Sequence, residues 1–248
     1  MDTTVQYLGW ASFLFTSPKG VRMLTDPYLA GDPNVKVPPS PFSAKDIVVD
    51  LIIVSHYAAD HSEQAADIMR NSETTKILGD HSTMVMMEKA GFGDILGPRL
   101  ELTTSGATYG IEDIKIRAVS ARHISFTHMQ DGGFMTGEPL CYMIEFENGP
   151  TCFFGGDTSI TYDMKLWGSR YNPEIAFVGI GGVDLKGRSL DEMDPEDAAV
   201  CVELLGVKKA IPMHYRTQEY FERFQKALSI RAPWCECIAM NAGETITL

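Results

Sequence analysis

The sequence predicts an α+β chain in which two sheets pack face to face with helices on the outside. Three observations carry this. Apolar segments of strand length outnumber helical ones, helical segments occur in both halves, and no linker or shift in composition divides the chain. One domain, 1–248, is therefore expected.

The elements follow in order. Val5–Leu8, Ser12–Phe15 and Val21–Leu24 read as short strands, the last two joined by a turn at Ser17-Pro18-Lys19-Gly20. The stretch from Gly31 to Pro41 is too polar and too broken by proline to be an element. Asp50–Ser55 is a continuous apolar run between polar residues, the pattern of a strand buried on both faces. Ser62–Arg70 and Ser82–Ala90 carry good helix formers, with Gly91 as a stop. Ile114–Ser120, Pro139–Phe146 and Thr151–Phe154 read as strands. Glu174–Ile180, Lys208–Pro212 and Cys235–Met240 read as strands alternating with helices at Pro195–Leu205 and Gln218–Ile230. Asp194 before Pro195, followed by Glu196 and Asp197, marks a helix start because each carboxylate opposes the positive end of the helix dipole.

Composition excludes several partners. Against 33 Asp+Glu the chain has 21 Lys+Arg, a net charge of −12, so it offers no basic field to nucleic acid or to an anionic membrane. No apolar run approaches the roughly 18–20 residues that span a bilayer. The N-terminus lacks the basic and apolar segments of a signal peptide. Five scattered cysteines argue against a disulfide framework and for a reducing compartment. A cytoplasmic protein acting on a small molecule is expected.

The chemistry is carried by four strand ends. Ser55-His56-Tyr57-Ala58-Ala59-Asp60-His61 begins where the buried strand stops, and brings two imidazoles and a carboxylate within six residues. His123 follows a second strand. Asp157 follows a third, in Phe154-Gly155-Gly156-Asp157-Thr158, where glycines let the backbone approach a ligand. His214 follows a fourth. Neutral imidazole and carboxylate both suit zinc, manganese or iron, and a rigid sheet can hold them at its rim. His81 reads as an exposed helix start and His128 stays ambiguous. Met84, Met86 and Met87 read as core fillers, and Cys235-x-Cys237 as one face of a packed strand. A Ser55 or Cys152 nucleophile has no Gly-x-Ser-x-Gly elbow to support it. Asp26 fits either a turn or a support for the site.

On these residues the sequence resembles the metallo-β-lactamase superfamily. It is most similar to the branch of small bacterial metal-dependent hydrolases related to ascorbate-6-phosphate lactonase. Matching stretches run along the chain: Tyr7-Leu8-Gly9, Thr25-Asp26-Pro27-Tyr28-Leu29, Ile180-Gly181-Gly182, Met193 to Ala199, Ile211-Pro212-Met213-His214-Tyr215 and Gly243-Glu244-Thr245. The resemblance implies a four-layer αβ/βα sandwich with a two-metal site at one rim. One metal position would keep Asp60, His61, a bridging Asp157 and His214. The other would keep His56, His123 and Asp157 and lose a ligand, because the loop reads His-x-His-x-Asp-His in the family and has Ala58 at its second histidine. One firmly bound zinc or manganese is expected, with a second site that is weak, absent or completed by Tyr57 or His128. Trp10 stands where the branch has histidine, and Arg216 where it has glycine. The expected reaction is attack of a metal-bound hydroxide, positioned by Asp60 and Asp157, on a lactone or phosphodiester of a small anionic substrate. Arg216, with its planar fork, is a candidate for the anionic group. The alternative is a degenerate member that binds one metal or a small anion without turnover. Family members assemble into oligomers, but no segment marks an interface.

Overall fold

The computed structural model describes residues 2–129, 132–184, 189–190 and 192–248. The chain opens with Thr4–Gly9 (β1), Ser12–Thr16 (β2) and Arg22–Thr25 (β3), which pair antiparallel in sequence order. Leu51–Ile53 (β4), the helices Ala59–Ser62 (α1) and Ala65–Arg70 (α2), Lys76–Gly79 (β5), the helix His81–Lys89 (α3) and Leu100–Leu102 (β6) come next. Strands β3 to β6 pair in parallel.

The second sheet begins with Thr108–Ile111 (β7) and Ile114–Ser120 (β8). A small ribbon follows, Phe126–His128 (β9) with Phe134–Thr136 (β10), before Leu140–Phe146 (β11) and Thr151–Phe154 (β12). Helix Asp163–Tyr171 (α4), Ile175–Gly179 (β13), the short pair Val183–Asp184 (β14) and Ser189–Leu190 (β15), helix Pro195–Leu205 (α5) and Lys209–Met213 (β16) come next. Helix Gln218–Arg231 (α6), Glu236–Cys237 (β17) and Thr245–Thr247 (β18) end the chain. The sheet orders are β18-β1-β2-β3-β4-β5-β6 and β17-β16-β13-β12-β11-β8-β7. Both follow one plan, three antiparallel pairings and then three parallel ones, the first sheet from β18 and the second from β7.

Period-two alternation divides the buried strands between layers. In β11, Leu140, Tyr142, Ile144 and Phe146 enter the core between the sheets, while Cys141 and Met143 face a core shared with α4, α5 and α6. In β4, Leu51 and Ile53 face the inter-sheet core and Ile52 packs toward α2 and α3. Three apolar layers between four structural layers give the expected αβ/βα sandwich. At its centre Phe13, Phe15 and Phe177 meet edge to face, with centroids 4.8 and 5.2 Å apart.

Several segments differ from expectation for local reasons. The helix expected at Ser62–Arg70 starts at Ala59 and breaks between α1 and α2, so its first turn carries Asp60 and His61. Helix α4 is hidden in the sequence by its central Gly168. A Cβ there would stand 2.5 Å from the Leu205 carbonyl, so the glycine lets α4 lie against the end of α5. Strands β5 and β6 are too short to show a period. The Gly31–Pro41 loop holds one 3₁₀ turn, Pro33–Val35, capped by Asp32. Met84 and Met87 fill the outer core as expected, and His81 is exposed. Asp194 caps α5 by accepting the Asp197 N–H at 2.9 Å.

The rim that carries the functional residues is tied across the sheets. The Tyr142 hydroxyl donates to the Val54 carbonyl at 2.7 Å, and the Leu140 N–H to the Ser55 carbonyl at 2.8 Å. Gly181 allows a closer approach still, since a Cβ there would lie 2.1 Å from the His214 carbonyl oxygen. Gly181→Ala is expected to cost about 1–3 kcal/mol by overpacking against backbone. It should weaken cation binding in parallel, read by denaturant melts and metal titration.

Candidate metal centre

Every candidate ligand sits just past the C-terminal end of a strand, at one rim. His56 follows β4, Asp60 and His61 lie on α1, His123 follows β8, Asp157 follows β12 and His214 follows β16. His56, His61, Asp157 and His214 are buried, His123 is nearly so, and the Asp60 side chain is 42% exposed. The structure brings all six together. His61 Nε2 lies 3.2 Å from His214 Nε2, 3.1 Å from Asp157 Oδ2 and 3.9 Å from Asp60 Oδ2. His214 Nε2 is 3.4 Å from both Asp60 Oδ2 and Asp157 Oδ2. His123 Nε2 is 3.9 Å from Asp157 Oδ2, and the His56 ring stands 4.3 Å from that of His61 and 4.8 Å from that of His123. Three donor sets result, His56–His123–Asp157, Asp60–His61–His214 and Asp157–Glu192–His214, with Asp157 shared by the first and the last.

Backbone conformation aims these groups. His214 (φ +55°), Asp26 (φ +34°) and Trp10 (φ +54°) all occupy the left-handed region that side chains disfavour, and such strain gathers at functional sites. Gly156 (φ +53°) has no room for a Cβ, which would meet Ser55 Cβ at 2.5 Å. The His123 loop is bound to the Asp157 loop by the Arg122 N–H to Thr158 Oγ1 and the Ser159 N–H to the Arg122 carbonyl.

Asp26 supports the site. Its fully buried carboxylate accepts the Ser55 N–H at 2.7 Å and the Ser55 hydroxyl at 2.6 Å, and lies 2.8 Å from His61 Nδ1. With the proton held on Nδ1, His61 turns the Nε2 lone pair toward the cluster, as outer carboxylates do for metal-binding histidines. Trp10, seen in the sequence only as a departure, covers the site. Its indole N–H donates to Asp60 Oδ2 at 3.3 Å, and its ring lies 4.0 Å from the His214 ring and 5.6 Å from the Arg216 guanidinium. Glu192, which sequence reasoning missed, places Oε2 3.7 Å from His214 Nδ1 with its side chain 8% exposed. Of the two groups considered for the vacancy left by Ala58, Tyr57 packs against the outer core, and the His128 side chain lies outside the described residues.

Charge is finely balanced here. Burial alone would push the His61 proton off, but Asp157, Asp26 and Asp60 outweigh it and hold the imidazole well above its ordinary range. His214 is raised against burial by Asp157, Asp60 and Glu192. His56 is driven well below by burial and the charge of His61, so it stays neutral. Burial would raise Asp60 and Asp157, yet the neighbouring imidazoles keep both carboxyls below the usual range. Burial and Asp157 push Glu192 up to about 8.

A cation entering this cluster must displace protons from imidazoles whose values are raised. Uptake is therefore expected to release protons and to strengthen as pH rises above the ordinary imidazole value of about 6.5. Calorimetry in buffers of different ionisation enthalpy checks this, and uptake without proton release would contradict it.

A double-sheet sandwich with imidazoles and carboxylates gathered at one rim defines the class of metallo-β-lactamase-fold hydrolases. Residues 21–215 match the model of the beta-lactamase superfamily domain, and the chain belongs to that superfamily. It is 30% identical to a UPF0173 metal-dependent hydrolase of Rubrobacter xylanophilus, over 98% of this chain and 96% of that protein. Among solved structures it resembles Igni18, a metallo hydrolase of Ignicoccus hospitalis, with 26% identity, a TM-score of 0.77 and coverage of 100% and 99%. The metallo-beta-lactamase fold protein YhfI of Bacillus subtilis superposes with a TM-score of 0.72 at 13% identity, over 99% of each chain.

Proposed function

We propose that the chain hydrolyses an ester-like bond, a lactone or a phosphodiester, in a small anionic molecule, with a zinc or manganese ion held by Asp60, His61, Asp157 and His214. One observation carries the reading. The four donor atoms are separated by 3.1, 3.2, 3.4, 3.4 and 3.9 Å along five of their six mutual pairs. Ligands about 2.0–2.1 Å from one tetrahedral ion stand about 3.3 Å from one another, so Asp60, His61 and His214 suit a single cation, with Asp157 beside the two imidazoles. Two Nε2 atoms facing each other at 3.2 Å with carboxylates alongside also require a proton or a cation between them. His56, His123 and Asp157 form a second set with three donors, weakened by the methyl group of Ala58.

When bound, the ion supplies an acidified water and a polarised electrophile. The chain's own groups do the rest. Asp157, buried beside His61 and His214, orients the attacking water. Asp60, fixed by the Trp10 N–H and exposed on its other side, helps Asp157 to position that water. Arg216, exposed beside Trp10, receives the anionic group of the substrate. A groove of about 860 Å³ on the far side of the metal loop, lined by Tyr57, Ala59, Met86, Met87 and Met129, includes none of the six metal-site residues and plays no part in this reading. Both sheets supply donors, which supports one working domain over 1–248. The five cysteines are all free, which supports a cytoplasmic setting. The net charge of −12 speaks against nucleic acid, and no helix among the described residues is long and apolar enough to cross a membrane. Binding without turnover draws no support from the relatives, which are named as hydrolases.

Elemental analysis beside a panel of lactones and phosphodiesters tests this. One cation per chain is expected, with turnover lost on chelation and restored by zinc or manganese. A cation-loaded protein inert toward the whole panel would leave only a binding role, and a chain free of metal would refute both.

A further inference from the structure

We infer that Glu192 is the positioning residue of His214: its carboxylate accepts the Nδ1–H of that ring and thereby presents Nε2 to the cation. The inference rests on the cation reading above and deepens it. His214 has two edges. Nε2 faces Asp60, Asp157 and His61, whereas Nδ1 faces Glu192 Oε2 at 3.7 Å. That oxygen is buried and has no hydrogen-bond partner among the described residues, a costly state for a carboxylate unless a donor turns toward it. The nearby donor is the His214 ring, and a shift of well under 1 Å closes the gap to hydrogen-bond distance.

Three further observations point the same way. His61, the other imidazole of the set, already has this arrangement, with Asp26 at 2.8 Å from its Nδ1. Glu192 is held against the site by the backbone of its neighbour, because the Met193 N–H donates to the carbonyl of Thr158, next to Asp157, and the Gly182 N–H to the Met193 carbonyl. Glu192 is also not needed as a helix cap, since Asp194 takes the free N–H at the start of α5. With Trp10 packed 4.0 Å from the ring and Glu192 at its back edge, His214 is fixed in both tautomer and tilt.

Zinc affinity by competition with a chromophoric chelator, and the nitrogen-15 resonances of His214 in the zinc-loaded protein, test the role. Glu192→Leu is expected to bind zinc about 10–100-fold more weakly with unchanged stoichiometry. Glu192→Gln, which keeps the shape and loses the charge, should fall between it and the parent and guards against misfolding of the leucine variant. The His214 Nδ1–H signal should move in both variants while that of His61 stays, a pattern that a purely structural residue would not give. Unchanged affinity with an unmoved His214 signal overturns the inference and leaves the metal centre standing. Loss of a whole equivalent of zinc with the His214 signal unmoved also overturns it, by making Glu192 a ligand. A parent protein that takes up no zinc overturns both this role and the proposed function.

Discussion

Asp157→Ala is expected to abolish turnover and to weaken cation binding by more than the roughly 100-fold that loss of an outer carboxylate costs. The reason is position. Asp157 Oδ2 lies 3.1 Å from His61 Nε2, 3.4 Å from His214 Nε2 and 3.9 Å from His123 Nε2, so one side chain faces all three imidazoles. Its removal leaves His56 and His123 as a pair and deprives His61 and His214 of the charge that faces them. Asp157→Asn separates charge from shape and should show most of the same loss. Metal content after gel filtration, measured alongside activity, reads the effect. Parent-like metal content in the alanine variant would mean that the six residues converge for another purpose.

Ala58→His should raise bound metal from about one to about two per chain and increase turnover, because a fourth donor completes the tetrahedral set begun by His56, His123 and Asp157. The position is open to it. Ala58 is half-buried in extended backbone (φ −138°, ψ 155°) just before α1, and makes no side-chain cap that the change would destroy. Titration with zinc followed by elemental analysis counts the ions. A variant that still binds one would show that the second set is unusable for a reason other than the missing imidazole.

The two substitutions illustrate what a chain can disclose before it folds. His56, Asp60, His61, His123, Asp157 and His214 were legible because each follows an apolar strand, and strand ends share a rim once sheets form. Asp26 was legible only as an ambiguity: Asp-Pro after a strand writes a turn whether or not its carboxylate faces His61. Glu192 was hidden in the acidic run Asp191-Glu192-Met193-Asp194, where carboxylates are accounted for by the dipole of α5. The burial of Glu192 and of its neighbour Met193 shows only after folding. Trp10 could be seen to replace an expected histidine, but its hydrogen bond to Asp60 spans 50 residues and no local pattern contains it. In the fold, β4 was clear because burial on both faces leaves an unbroken apolar run, and β11 because only the exposed Glu145 interrupts one. Helix α4 was not, because the glycine that permits its close approach to α5 is the residue that argues against a helix.

The shared plan of the two sheets has a consequence for how this enzyme could be taken apart. Asp60 and His61 belong to the first half of the chain, Asp157 and His214 to the second, and each half by itself keeps only two of the four donors. Cleaved in the connection between β6 and β7, the polypeptide would yield fragments that chelate feebly alone and recover tight chelation only on docking. Recovered catalysis in a mixture of the two fragments would then be a direct gauge of their complementation.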